Sequence, residues 1–148
     1  MHKHALLIVA AGFLLAADAK DEEVKKELRK LQGTWVLISG ELDGKKIPAK
    51  HAKKSRITWN GKEVTLTTPH QSKTPFKGTV NVDPRKKEMT WVRASGPGAG
   101  KTMHAIYEFL SDDQYRVCFA PAGKERPTKF ATMPGSGHIL HVWKRQKK

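Results

Sequence analysis

The stretch KTMHAIYEFLSDDQYRVCFAPAGKERP, residues 101–127, contains the pattern that decides the fold. Apolar side chains alternate with polar ones along residues 103–109 and again along residues 115–119, which is the period of a β-strand with one buried face. Turn-forming residues at 111–113 separate the two runs. The stretch therefore predicts a β-hairpin. Because a lone hairpin is only marginally stable in water, other strands must cover its apolar face.

Short runs of the same kind flank this hairpin, and turn signals such as Asp43-Gly44 and Asn60-Gly61 separate them. The additional predicted strands cover residues 33–39, 56–59, 63–67, 76–82, 88–93, 129–132 and 139–144. Short strands at regular spacing are typical of a barrel or a sandwich. We expect an all-β fold, an antiparallel up-and-down β-barrel of about eight strands, with one short helical turn after Pro48.

The apolar face of each predicted strand defines the expected interior. It comprises Trp35, Leu37, Ile57, Trp59, Val64, Leu66, Phe76, Val80, Val82, Met89, Trp91, Tyr107, Phe109, Tyr115, Val117, Phe119, Leu140 and Val142. A barrel of about eight strands is only just wide enough to be filled by side chains or to hold one small ligand. Because large aromatic side chains dominate this set, we expect little free space inside.

Residues 1–19 have the pattern of a secretory signal peptide: a basic start, an apolar run over residues 5–17 and the small-x-small motif ADA. The apolar run is shorter than the roughly 20 residues that a membrane-spanning helix needs. We therefore expect cleavage before Lys20 and export to the periplasm or the cell exterior. The mature chain, residues 20–148, would be a single domain with no transmembrane segment.

Residues 21–31 predict one amphipathic helix at the start of that domain. Val24, Leu28 and Leu31 form a narrow apolar stripe, with acidic residues in the first turn and basic residues toward the end. This order of charges suits the helix dipole. We expect the helix to pack across one end of the sheet and to end at Gly33.

The chain carries a net charge of +14, which exceeds what solubility requires. Residues 45–56 concentrate much of it, and Lys50, Lys53 and Lys54 are candidate contacts for a ligand. An anionic partner would suit this surface: an acidic polysaccharide, an anionic lipid surface or an acidic protein. Export argues against nucleic acid, and we expect a monomer. Binding should follow the basic segments rather than the barrel interior, and it should weaken with added salt.

No pattern in the chain predicts catalysis, a cofactor or a metal site. The motif SGPGAGKT at residues 95–102 lacks the first Gly of a phosphate-binding P-loop, and a strand follows it instead of a helix. The histidines lack the spacing of metal ligands. Cys118 is the only cysteine, which excludes an intramolecular disulfide, and no histidine has a fixed place beside it. We expect a binding module rather than an enzyme.

The loop APAGKERPT, residues 120–128, is the most unusual connection in the chain. Lys124 and Arg126 are candidate ligand contacts at one barrel end, and Tyr107 is a further candidate on the predicted inner face. A purely structural role for the Arg126 turn is the competing interpretation. The alternative function is an enzyme that acts on a small anionic substrate near Arg126.

Four phrases together resemble one protein family: LQGTW, GKT followed by IYEF, VCFAPAGKERPTKF and LHVWKR. That family is a small, repeatedly duplicated and functionally uncharacterised domain of planctomycete bacteria, often found behind a signal peptide. The resemblance covers residues 31–145, and it implies no established activity.

The motif GTW at residues 33–35 also resembles the Gly-x-Trp motif of calycins, the lipocalin-like barrels. In that group the Trp packs against a basic residue near the last strand and closes one end of the barrel. The resemblance implies that Gly33 and Trp35 form such a closure, with Lys144 or Arg145 making a cation–π contact. The alternation predicted for the last strand favours Lys144.

Overall fold

The computed structural model describes residues 6–69, 74–96 and 98–147, and within the first helix it describes side chains from residue 15 onward. Two helices and nine strands follow one another in this part of the chain: α1 (Leu6–Leu31), β1 (Gly33–Leu42), β2 (Lys45–Lys46), α2 (Ala49–Ala52), β3 (Arg56–Asn60), β4 (Glu63–Thr67), β5 (Phe76–Asp83), β6 (Glu88–Arg93), β7 (Thr102–Ser111), β8 (Gln114–Phe119) and β9 (Ile139–Arg145).

The strands form the closed antiparallel barrel that the sequence predicts. Eight of them, β1 and β3 to β9, pair with their neighbours in order, and β9 closes the sheet by pairing with β1. The turn at Asn60-Gly61 joins β3 to β4, and Asn60 faces Glu63 across it. The ninth strand, β2, is a two-residue extension that pairs only with the end of β1. This architecture fits the calycin-like resemblance.

Three elements differ from the sequence-based expectations. Residues 129–132 form no strand. The edge of β8 with which they could have paired is already paired with β9, as far as Phe119 and Ile139. The short strand β2 was not expected. Helix α1 begins at Leu6 instead of residue 21, since the preceding segment is rich in Ala and Leu, which favour a helix. Cleavage before Lys20 stays a prediction.

The core lies inside the barrel, and the predicted inner face is correct for most strands. The exception is β9, in which His141 and Trp143 are buried while Leu140 and Val142 are only partly buried. The strand carries apolar side chains on both faces, so alternation alone could not decide between them. Trp143 pairs with Leu37 of β1, whose side chain points inward. This pairing determines which face of β9 is buried.

Helix α1 packs across one end of the barrel, as expected. The side-chain amide of Gln32 donates to the Gly61 carbonyl in the β3–β4 turn at 3.0 Å. Gly33 follows with φ of 100°, a conformation that favours glycine and turns the chain from the helix into β1. We call the end that α1 covers the closed end of the barrel. No helix in the described ranges is long and apolar enough to cross a membrane.

The connection between β8 and β9, residues 120–138, runs along the outer wall of the barrel, and we call it the outer strap. The Cys118 thiol, which faces outward from β8, donates to the Ala131 carbonyl at 3.6 Å. The Gly137 amide donates to the Asp43 carboxylate at 2.8 Å. Cys118 is therefore packed under this connection, and burial raises the pKa of its thiol.

Candidate ligand site

The two ends of the barrel differ in construction, and the closed end is built around Trp35. This side chain is fully buried, and its indole N–H donates to the Leu31 carbonyl of α1 at 2.8 Å. The Arg145 guanidinium carbon lies 4.2 Å from the centre of the Trp35 ring. Lys144 is exposed and pairs in register with Val36, on the outer face. Arg145 is thus the basic residue on Trp35, because β9 has the opposite orientation to the one predicted.

Arg145 also ties the closed end to the helix. Its guanidinium donates to the carbonyl of Lys30, in the last turn of α1, at 2.7 Å and to that of Gln32, just after the helix, at 2.9 Å. Carbonyls at a helix C-terminus lack partners within the helix and carry partial negative charge. The cation therefore satisfies the helix end and covers Trp35 at the same time.

A buried carboxylate completes the closed end. Glu27 of α1 is only 3% exposed. It accepts a hydrogen bond from the Tyr107 hydroxyl at 2.8 Å and ion-pairs with Lys30 at 2.8 Å and Lys87 at 3.0 Å. Burial opposes ionisation of Glu27, but the hydrogen bonds from these three groups outweigh it and hold its pKa below the ordinary value. Burial and the bond to Glu27 raise the pKa of Tyr107.

The opposite end is an open mouth that contains a cavity of about 220 Å³. Side chains from six strands, β4 to β9, and the β4–β5 connection line it: Leu66, Thr68, Thr74, Phe76, Trp91, Arg93, Met103, Phe119, Ile139 and His141. Most of these side chains are apolar or aromatic, and Trp91 and Phe119 pack edge-to-face with ring centres 4.8 Å apart. We call this space the mouth cavity.

Among the described residues that line the mouth cavity, Arg93 is the only Arg, and no Lys is present. Its guanidinium carbon lies 4.7 Å from the centre of the Phe76 ring, and its Nε donates to the Ser95 carbonyl at 3.0 Å. These contacts hold the charge against an apolar wall. Gly78 faces Arg93 across the β5–β6 ladder, and a Cβ there would lie 2.6 Å from the Val92 carbonyl oxygen.

A second polar group at the mouth cavity belongs to Trp91. This residue is 2% exposed, and within the described ranges its indole Nε1 has no hydrogen-bond acceptor. A buried N–H without a partner costs free energy unless water or a ligand accepts its hydrogen bond. The mouth cavity thus combines a largely apolar and aromatic wall with a few polar side chains, among them Arg93 and Trp91.

Arg126 does not lie at a barrel end. It projects from the outer strap onto the outer wall, where its guanidinium donates to the carbonyls of Met89 and Ala105, both at 2.6 Å, and contacts Thr90 and His104, both at 3.1 Å. These contacts fix the strap to β6 and β7. The geometry matches the structural interpretation of the Arg126 turn.

The other predicted contact residues are dispersed. Lys124 is exposed beside Lys101 and His104, in a shallow groove outside the barrel. Tyr107 is fully buried at the closed end, away from the mouth cavity. Lys50, Lys53 and Lys54 are exposed on and after α2. The structure therefore does not bring the sequence-predicted ligand residues together.

The sequence analysis missed both Glu27 and Arg93 as important positions. Glu27 lies on the helix beside its apolar stripe, so it resembled an ordinary solvated charge. Arg93 follows Met89 and Trp91 in the alternation of β6, so it lies on the inward face of the strand. A cation at a position where the pattern predicts an apolar residue could have identified it. Within the described ranges, no three His, Cys, Asp or Glu side chains could jointly hold a metal ion.

Comparisons with protein-family models, with curated proteins and with solved structures find no match to this chain.

Proposed function

We propose that this chain is an exported, non-catalytic binding module for an anionic ligand, and that the ligand enters the mouth cavity. The observation that carries the proposal is Arg93, a cation held at a largely apolar and aromatic cavity. Binding sites for small molecules typically combine such a wall with a few placed polar groups. The high net charge would also attract anions over a distance.

The dimensions of the mouth cavity limit the ligand. Its volume of about 220 Å³ is below the roughly 300–1,000 Å³ of sites for drug-sized molecules. The aromatic lining favours a small, flat, apolar body, and Arg93 favours one carboxylate or similar acid on it. The Trp91 N–H would donate to an oxygen of the ligand.

The proposed location rests on the N-terminal pattern. The basic start, the apolar run and the ADA motif at residues 17–19 support export with cleavage before Lys20. The resemblance to the signal-peptide-bearing planctomycete domain supports the same location. We propose that the exported domain acts as a monomer.

The enzyme alternative has less support. Arg126 was its proposed substrate contact, and the hydrogen bonds of this guanidinium are made to groups of the protein itself. A substrate would have to displace several of them. We therefore favour binding without chemistry.

The proposal can be tested with 2-naphthoate, a flat apolar acid, and with 2-naphthamide, its uncharged counterpart. Calorimetric titration should show tighter binding of the acid. The variant Arg93→Gln should remove this preference and leave the affinity for the amide unchanged, because only the acid needs the cation. A charge-assisted hydrogen bond is worth about 1.5–3 kcal/mol, so the acid should lose about tenfold to a hundredfold in affinity.

Lys77→Gln is the matched control, since it removes one charge from the exposed outer face of β5, the strand that carries Phe76. This variant should bind both compounds like the parent protein. Absence of binding by the parent, or an equal loss for Arg93→Gln and Lys77→Gln, would exclude the mouth cavity as the anion site.

A further inference from the structure

Opposite charges are distributed unevenly over the surface. The ion pairs in the described ranges all involve α1 or strands and turns between β5 and β9: Glu22–Lys25, Glu27–Lys30, Glu23–Arg85, Glu27–Lys87, Glu108–Arg116, Glu88–Arg126 and Asp113–Arg145. None involves α2 or β3. Within the described ranges, the cations of α2 and β3 therefore lack the ion-pair partners that several cations elsewhere have.

Five cations lie on α2, in the segment after it, on β3 and on β9, and we call them the basic band: Lys50, Lys53, Lys54, Arg56 and Lys144. The four lysines are exposed, and none of the five residues has an ion-pair partner among the described residues. Lys46 is not included, because Glu41 faces it in the β1–β2 register.

The sheet register brings two members of the basic band, Arg56 and Lys144, close together. Val36 of β1 pairs with Arg56 of β3 on one side and with Lys144 of β9 on the other. Neighbouring strands lie about 4.8 Å apart, so the Cα atoms of Arg56 and Lys144 are about 10 Å apart across β1. These two cations are separated by 88 positions in the sequence, and only barrel closure makes them neighbours.

Hydrogen bonds within the protein fix the Arg56 guanidinium and, in the described part of the chain, leave one of its nitrogens free. Its Nη1 donates to the carbonyls of Lys53 at 2.6 Å and Ser55 at 3.0 Å, and its Nε donates to the Gln146 side chain at 3.1 Å. Among the described residues, Nη2 donates no hydrogen bond. A guanidinium that is already fixed loses little side-chain entropy on binding an anion.

We propose that the basic band binds an acidic polysaccharide, at a site separate from the mouth cavity. The cations extend from α2 across β3, β1 and β9 instead of surrounding a hollow, and this arrangement suits an extended chain that carries repeated charges. The Nη2 of Arg56, free among the described residues, can donate to a carboxylate or sulfate oxygen of such a chain. The proposed export favours a polysaccharide over nucleic acid.

The test measures binding to polygalacturonate, a carboxylated chain, and to heparin, a sulfated one, by the full-length protein. We expect binding that weakens strongly between about 0.1 M and about 1 M salt, where the Debye length falls from about 10 Å to about 3 Å. The triple variant Lys50→Gln, Lys53→Gln, Lys54→Gln should bind at least about tenfold more weakly at low salt, since each basic residue near an anionic surface contributes about 1 kcal/mol.

The matched control is the triple variant Lys62→Gln, Lys77→Gln, Lys129→Gln, which removes the same charge from exposed positions outside the basic band. It should keep binding within about threefold of the parent, because long-range attraction alone is screened. Arg56→Lys keeps the charge and removes the fixed Nη2 donor together with the hydrogen bonds that hold it, so it should also weaken binding. Melting temperatures of all variants should match that of the parent.

Three results would overturn the proposal. One is an equal loss of binding in both triple variants, which would indicate attraction by net charge alone. Another is the absence of binding to either polysaccharide. The third is tighter binding to anionic phospholipid vesicles or to DNA than to either polysaccharide, which would assign the basic band to a different class of partner.

Discussion

The two ends of this barrel are made of similar residue types but have opposite character. At the closed end, Trp35 is covered by Arg145, and Glu27 binds the Tyr107 hydroxyl. At the mouth, Arg93 and Trp91 border open space. A cation lies against an aromatic ring at both ends, 4.2 Å from Trp35 and 4.7 Å from Phe76.

The two cations, Arg145 and Arg93, differ in how many of their hydrogen bonds the protein itself accepts. Arg145 donates to carbonyls of α1 and of the β7–β8 turn, so the protein itself satisfies it. Among the described residues, the Arg93 guanidinium donates one hydrogen bond, to the Ser95 carbonyl beside it. The comparison indicates that the closed end stabilises the fold, and it supports our proposal that a ligand enters at the mouth. Substitutions at the two ends should separate stability from binding.

The largest effect is expected for Trp35→Ala. Removing a fully buried Trp should lower the free energy of unfolding by about 3–5 kcal/mol, measured by urea denaturation. Ile38→Ala on the same strand is the control, because Ile38 is 46% exposed and should cost less than about 1 kcal/mol. A similar small loss for both variants would mean that Trp35 does not organise the closed end.

A smaller loss is expected for Glu27→Gln, about 2 kcal/mol at pH 7, because it removes the buried negative charge that strengthens three hydrogen bonds and replaces one acceptor oxygen with an NH2 donor. Glu22→Gln on the same helix is the control; its exposed pair with Lys25 should contribute at most about 1 kcal/mol. Equal losses in the two variants would contradict the assigned role of Glu27.

The same variant predicts a pH dependence. The folded-state pKa of Glu27 lies below its ordinary value of 4.5, so its contribution is present above that value and is lost as the pH falls through the folded-state pKa. The stability difference between the parent and Glu27→Gln should therefore shrink in acid. Denaturation curves over a pH series measure it, and a difference that stays constant down to about pH 2 would contradict the prediction.

The smallest effect on stability is expected at the mouth. Arg93→Gln removes a cation–π contact and a hydrogen bond at a partly exposed site, which should cost about 1 kcal/mol or less. The same variant should abolish the preference for naphthoate over naphthamide. A loss of stability as large as that of Trp35→Ala would mean that the two ends do not divide their roles.

The sequence alone was enough to predict the barrel, because strand alternation and turn residues act over short distances. The hairpin at residues 101–127 and the turn at Asn60-Gly61 each depend on neighbours a few positions away. The helix that ends before Gly33 was equally readable from its charges and its apolar stripe. Its start at Leu6 was not, since the preceding segment carries the pattern of a signal peptide as well as helix-favouring residues.

Only the tertiary structure decided which charged residues have a structural role. Glu27 meets Tyr107 across 80 positions, and Arg126 reaches Met89 across 37. The orientation of β9, and with it the choice of Arg145 over Lys144, depends on pairing with β1 at the opposite end of the barrel sequence. The physical reason is that alternation identifies the two faces of a strand, whereas the closure of the sheet determines which of them is buried and which charges become neighbours.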